Sequence, residues 1–214
     1  IEQAINGSLF AIYYSAGQSC EARSRLFVQE SVYDRFVENF VDKTSRLKVG
    51  DPLDPATHMG SLISAKQVDR VHSYVEIGKA EGAQVLTGGS KPGNGLEKGN
   101  FYMPTVLAGV SNKARIAQEE IFGPVVTVIP FKTEAEANQL STGVFSGLPD
   151  PIPTSHVGHA HRVAGAGVRL GCARVGARPV PALRNSWLRP ATKGPVMVMA
   201  TPTGHTRRKE CAAL

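Results

Sequence analysis

The sequence predicts an α/β fold: a layered sheet with flanking helices over residues 1–140, then a poorly structured C-terminal tail over residues 141–214. Three observations lead there. Apolar residues recur at helical spacing in three stretches, with apolar runs of strand length between them. One such run, Val125-Val126-Thr127-Val128-Ile129-Pro130-Phe131, is largely β-branched and apolar, as a buried strand is. Beyond about residue 140 this alternation stops and the composition changes.

The elements follow in order. Ile1, Ala4, Ile5, Leu9 and Ile12 mark a helix over Ile1 to Tyr14, which Gly17 breaks. Arg25 to Gln29 has the length and apolarity of a short strand. Val32, Phe36, Val37, Phe40 and Val41 stripe a second helix, and Gly50-Asp51-Pro52 ends that element. Ser64 is placed to N-cap a third helix carrying Val68, Val71, Val75 and Ile77, which Gly82 closes. Gln84 to Thr87 reads as a strand, Gly88 to Gly99 as a loop, and Phe101 to Val110 as extended chain. Glu119 to Pro124 is a turn into the strand Val125 to Phe131. Thr133 with Glu136 three residues on forms a capping box for a further helix.

The tail differs in kind. Residues 141–214 hold 8 of the 14 prolines and 9 of the 22 glycines. Residues 1–140 carry 16 acids and 14 Lys/Arg, a net −2, whereas residues 141–214 carry 2 acids and 10 Lys/Arg, a net +8. Pro149, Pro151 and Pro153 alternate in a way that a helix or central strand does not tolerate. Only His156 to Ala166 and Val196 to Ala200 have the character of an element. The abrupt change is what a reading-frame shift in the parent sequence would produce, leaving a degenerate or frame-altered end.

Composition bounds the function. With 42% hydrophobic and 20% charged residues, the chain is globular in type. No run approaches the ~18–20 apolar residues of a membrane span. The first residues carry an acid and no basic n-region, so no signal peptide is expected. Residue 1 is not Met, so the chain is expected to start inside a longer product or after processing. Cys20, Cys172 and Cys211 are odd in number and lack a CxxC spacing, against a disulfide framework or zinc site. Free thiols point to a reducing compartment, hence a cytoplasmic location. His156, His159, His161 and His205 have no carboxylate companions, so no metal is expected. The basic tail raises polyanion binding as a separate class. Trp187 is nearly its only aromatic, which argues against a base-stacking nucleic-acid platform.

The most informative stretch is Ser15-Ala16-Gly17-Gln18-Ser19-Cys20-Glu21-Ala22-Arg23-Ser24-Arg25. Cys20 follows a glycine turn, and the start of a short helical turn is expected there. Backbone N–H groups and Arg23 would then favour the thiolate, a strong nucleophile toward carbonyl carbon. The Cys20 N–H is also placed to donate to an oxyanion. From these residues alone, an inert buried cysteine and a reactive one both stand.

Gly17-Gln18-Ser19-Cys20 with the arginines after it resembles the active-site cysteine motif of the aldehyde dehydrogenase family. Gln118-Glu119-Glu120-Ile121-Phe122-Gly123-Pro124-Val125 is similar to the family's second signature, 100 residues further on. Gly50-Asp51-Pro52, the Met59 to Ser64 run and Asn100 to Val106 are also family-like, and the likeness covers residues 1–140. The resemblance implies an aldehyde dehydrogenase catalytic-domain-like layered sheet and oxidation of an aldehyde to a carboxylic acid with NAD or NADP. Cys20 would be the nucleophile, passing through a thiohemiacetal and a thioester. Glu120 would accept hydrogen bonds from the nicotinamide ribose, Phe122 would pack near the nicotinamide, and Gln67 would be a further cofactor contact. The dinucleotide-binding domain and the deacylating base of the family lie upstream of residues like these, so the isolated chain is expected to be incomplete. The resemblance further implies a homo-oligomeric parent protein acting on a small-molecule aldehyde. A CoA-acylating aldehyde dehydrogenase would share Cys20 and is the alternative within the family.

Overall fold

The computed structural model describes residues 1–143 apart from Glu21 and Asn94. Beyond these it describes the backbone of four short strands. The elements are α1 (Glu2–Tyr13), β1 (Arg25–Gln29), α2 (Tyr33–Ser45), α3 (Ala65–Ala80), β2 (Gln84–Thr87), β3 (Thr105–Ala108), α4 (Arg115–Gln118), β4 (Val125–Phe131) and α5 (Glu134–Thr142). Four strands follow: β5 (Ile152–Thr154), β6 (Ala173–Val175), β7 (Arg178–Pro179) and β8 (Val196–Val198).

The main sheet has the order β2-β3-β4-β1-β8. Strands β3, β4, β1 and β8 run parallel, and β2 pairs antiparallel at the edge. In β1, β3 and β4 successive residues are buried although they point to opposite faces. Helices therefore have to cover both sides, as parallel sheets require. Phe27, Val28, Val106, Leu107, Val125, Val126 and Val128 fill the centre with Ile5 and Ile12 of α1, Phe36 and Phe40 of α2, and Val71 and Val75 of α3. Rings tie α1 to α2: Tyr13 stacks on Phe40 at 6.4 Å and Phe40 on Phe36 at 5.7 Å.

Helix ends obey local chemistry. The Ser64 hydroxyl accepts from the Gln67 N–H at 3.2 Å, so Ser64 is the N-cap of α3. At the other end Gly82 adopts φ 93, Ala83 N–H reaches the Gly78 carbonyl at 2.8 Å and Gly82 N–H reaches Lys79 at 3.0 Å, a Schellman closure. Thr133 accepts from the Glu136 N–H at 3.2 Å, while the Glu136 carboxylate accepts from the Lys132 N–H at 2.8 Å.

Two features depart from the sequence reading. The one-turn helix α4 lies in a stretch, 111–118, to which the sequence reading assigns no element. The basic tail also contributes structure, since β8 pairs parallel with β1 from Arg25↔Val196 to Phe27↔Val198. Strands β5, β6 and β7 form a second small sheet in that order. Its prolines sit where a missing N–H costs least: Pro153 in edge strand β5 and Pro179 in edge strand β7. The Val196 run forms the expected element, and His156 to Ala166 lies outside the described residues. None of the described helices is long and apolar enough to cross a membrane.

Candidate active site

Cys20 lies on the connection from α1 to β1. After Tyr13 the chain turns sharply: Ser15, Ala16 and Gly17 all take positive φ, at 54°, 53° and 70°. Two of these three carry a Cβ, so the conformation is strained and must be held from outside. Gln18 does part of this. Its N–H and its side-chain amide both donate to the Ser15 carbonyl, at 3.0 and 3.3 Å, and its Oε1 accepts from the Ile63 N–H at 2.9 Å. Ala22 N–H then donates to the Ser19 carbonyl at 3.0 Å, which leaves Cys20 exposed in a turn.

Of the short helical turn expected at Cys20 the structure shows a single turn, closed from Ser19 to Ala22, and no helix begins at Cys20 among the described residues. Five residues on, β1 is anchored by buried Arg25, whose guanidinium donates to Asn112 Oδ1 at 2.9 Å and lies 5.4 Å from the Phe27 ring centre.

The second segment runs from α4 to β4. Ile121 is buried, Phe122 takes φ 59 and is 38% exposed, and Gly123 and Pro124 are buried again. Helix α3 grips this segment through one stripe of side chains. Gln67 Nε2 donates to the carbonyls of Ile121 at 3.1 Å and Phe122 at 2.8 Å. Arg70 donates to the Glu120 carbonyl at 2.6 Å and to Ile121 at 3.4 Å. The Tyr74 hydroxyl donates to Glu119 at 2.7 Å, and Arg115 holds the same carboxylate at 2.9 and 3.1 Å. Arg115 first, then Tyr74, hold the Glu119 carboxyl down to about 2. Among the described residues the Glu120 carboxylate enters no hydrogen bond or ion pair.

The two segments meet backbone to backbone. A Cβ on Gly17 would lie 2.1 Å from the Gly123 carbonyl oxygen, and a Cβ on Gly123 would lie 2.3 Å from Val71 of α3. Cys20 is three residues beyond one glycine and Glu120 three before the other, so both sites depart from a single point of contact. Phe122 and Gln67 belong to the same assembly, although the amide nitrogen of Gln67 is engaged with the segment itself. Arg70 and Tyr74 went unread in the sequence. Their only signal is the helical spacing Gln67, Arg70, Val71, Tyr74. A separate surface groove of about 520 Å³ between the 48–57 and 90–96 loops contains none of the expected site residues. Among the described residues no His/Cys/Asp/Glu cluster suited to a metal ion occurs, and the four tail histidines lie outside them.

A profile of the aldehyde dehydrogenase family matches residues 1–185. This chain belongs to the aldehyde dehydrogenase family. The match runs past residue 140, where the likeness by motif ends. The 5-carboxymethyl-2-hydroxymuconate semialdehyde dehydrogenase of Escherichia coli is 44% identical over 191 residues, 87% of this chain and 40% of the relative. The betaine aldehyde dehydrogenase of Brucella anthropi is 43% identical over 77% of this chain and 34% of its own length. Among solved structures, Staphylococcus aureus betaine aldehyde dehydrogenase in complex with NAD+ aligns at a TM-score of 0.77. It shows 35% identity over 92% of this chain and 34% of that one. The NAD+ complex of a Bacillus cereus aldehyde dehydrogenase aligns at 0.75 with 40% identity, over 78% of this chain and 34% of that one. The sheet with its flanking helices is thus the fold of this family, and the chain spans 34–40% of the length of these relatives.

Proposed function

We propose that this chain supplies the nucleophile and the nicotinamide-side wall of an enzyme that oxidises an aldehyde to a carboxylic acid with NAD(P)+. The observation that carries it is the contact of Gly17 with Gly123, which draws the exposed Cys20 turn and the Glu120 segment to one place. The residues fit a dinucleotide on its nicotinamide side. Glu120 offers a carboxylate with no protein partner among the described residues, and Phe122 offers a partly exposed ring beside it. In that arrangement Glu120 accepts from ribose hydroxyls, Phe122 covers the nicotinamide, and Gln67 braces the backbone that carries both.

The chemistry assigned to this chain is covalent. The Cys20 sulfur adds to the aldehyde carbon, forming a C–S bond and moving the π electrons to oxygen. Among the described residues the Cys20 N–H donates to no acceptor, so it is available for that oxygen. NAD(P)+, when bound, accepts the hydride that leaves the thiohemiacetal carbon. Water then cleaves the thioester, releasing the carboxylic acid and restoring the thiol, with a base from outside this chain. The free thiol of Cys20 also fits the reducing, cytoplasmic setting that belongs to this proposal.

Cys20→Ser in the full-length enzyme containing this chain tests the reading. NAD(P)H production should vanish with every aldehyde, and undiminished turnover removes Cys20 from the mechanism. Product analysis with and without CoA is the second arm. Carboxylic acid formed without CoA agrees with hydrolysis, whereas products that appear only as acyl-CoA replace it with acyl transfer.

A further inference from the structure

We propose that Arg70 is a positioning residue that fixes the Glu120 carboxylate for the ribose it accepts, an inference that rests on the reading of Glu120 above. One planar guanidinium spans two successive carbonyls: Nη2 donates to Glu120 at 2.6 Å and Nε to Ile121 at 3.4 Å. The plane of the fork is itself set. Its carbon lies 5.0 Å from the centre of the Tyr74 ring, and Nη2 contacts the Tyr74 hydroxyl at 3.4 Å. Tyr74 in turn donates to Glu119, which Arg115 also binds, so the residue before Glu120 is held from both sides. Gln67 donates to the Ile121 carbonyl, which it shares with Arg70, and to that of Phe122. The carbonyls of Glu120, Ile121 and Phe122 are therefore each pinned to α3 and Glu119 is tied to it through its side chain, while the Glu120 carboxylate keeps no partner among the described residues.

That combination is what a recognition carboxylate needs: a fixed backbone and an uncommitted side chain. Accepting from a pair of ribose hydroxyls tolerates displacements of only about 0.5 Å. The segment cannot fix itself, because Phe122 holds a positive φ that its own chain does not favour. A lysine at position 70 would keep the charge. It would lose the planar fork and the stacking surface that let arginine hold two carbonyls in one orientation.

The test uses the full-length enzyme with Arg70→Met, Arg70→Lys, Glu120→Gln and the double variant Arg70→Met/Glu120→Gln. Arg70→Met should raise the KM for NAD(P)+ about tenfold, the size of one lost charge-assisted hydrogen bond. The KM for aldehyde should not move. Arg70→Lys should recover little of the loss. Amide exchange of residues 119–123 should accelerate in Arg70→Met and stay at the parent rate in Glu120→Gln. The double variant should bind cofactor no worse than Glu120→Gln alone, because Arg70 acts through Glu120. Full rescue by Arg70→Lys would mean that a bare positive charge suffices, and it overturns the role of the fork. An unchanged cofactor KM in Arg70→Met beside a raised one in Glu120→Gln overturns the positioning role and leaves the Glu120 reading standing. An unchanged KM in Glu120→Gln removes that reading and this one together.

Discussion

At the scale of single residues, the meeting of the two motifs depends on the absence of two side chains. Gly17 combines φ 70 with a Gly123 carbonyl 2.1 Å from where its Cβ would be, so Gly17→Ala meets both backbone strain and a clash with backbone. Overpacking costs about 1–3 kcal/mol and a left-handed alanine about 1 kcal/mol, which places Gly17→Ala at about 3 kcal/mol. Gly82 is the internal control. It has φ 93 with nothing within 4 Å of its Cβ position, so Gly82→Ala should cost only the conformational part, about 1 kcal/mol. Urea midpoints of the two variants in the intact protein measure the difference. Equal shifts would show that the two turns do not interlock.

At the scale of elements, α3 is the bracket and the α4–β4 segment is what it holds. Glu119 is the electrostatic part of that bracket. Its folded-state pKa of about 2 lies below the usual 4.5, so its contribution is complete above about 4.5 and fades as pH falls toward 2. Amide exchange across residues 115–123 should speed up in that window, and Glu119→Gln should flatten the dependence. An unaltered acid profile in the variant would put the effect elsewhere. The same elements show what the sequence could reveal. Strands Arg25–Gln29, Gln84–Thr87 and Val125–Phe131 were legible to the residue, because apolar runs and flanking breakers are local. The four-residue helix α4 was not, since one turn has no periodicity to detect. The left-handed run Ser15 to Gly17 ahead of Cys20 is not legible, because the chain there meets Ile63 and Gly123, neither of them near in sequence. Cys20, Glu120, Phe122 and Gln67 were singled out by motif, and the structure gathers their segments around one contact. Arg70 and Tyr74 stayed hidden because what their stripe faces is about 50 residues away. The run that forms β8 is legible, but its place in the sheet is not, for the same reason, its partner β1 lying at the opposite end of the chain.

At the scale of the whole molecule, the described site is one-sided. In the proposed function it presents a nucleophile and a ribose-facing carboxylate, and the chain spans 34–40% of the length of the relatives compared above. In the proposed division of labour the rest of the dinucleotide is gripped elsewhere, and the base that cleaves the thioester is elsewhere too. Capture and turnover should therefore separate in the isolated 214-residue chain. Cys20 is exposed in its turn, so a thiol reagent should label it, and Cys20→Ser should remove that labelling. Steady-state NAD(P)H production should be absent with any aldehyde, since covalent addition without a held hydride acceptor leads nowhere. The two assays fail in different ways. Sustained NAD(P)H production by the isolated chain would mean that its own residues hold the whole cofactor and deacylate the thioester. A Cys20 that resists labelling in the folded chain would mean that its sulfur is closed off, and the covalent step would lose its nucleophile.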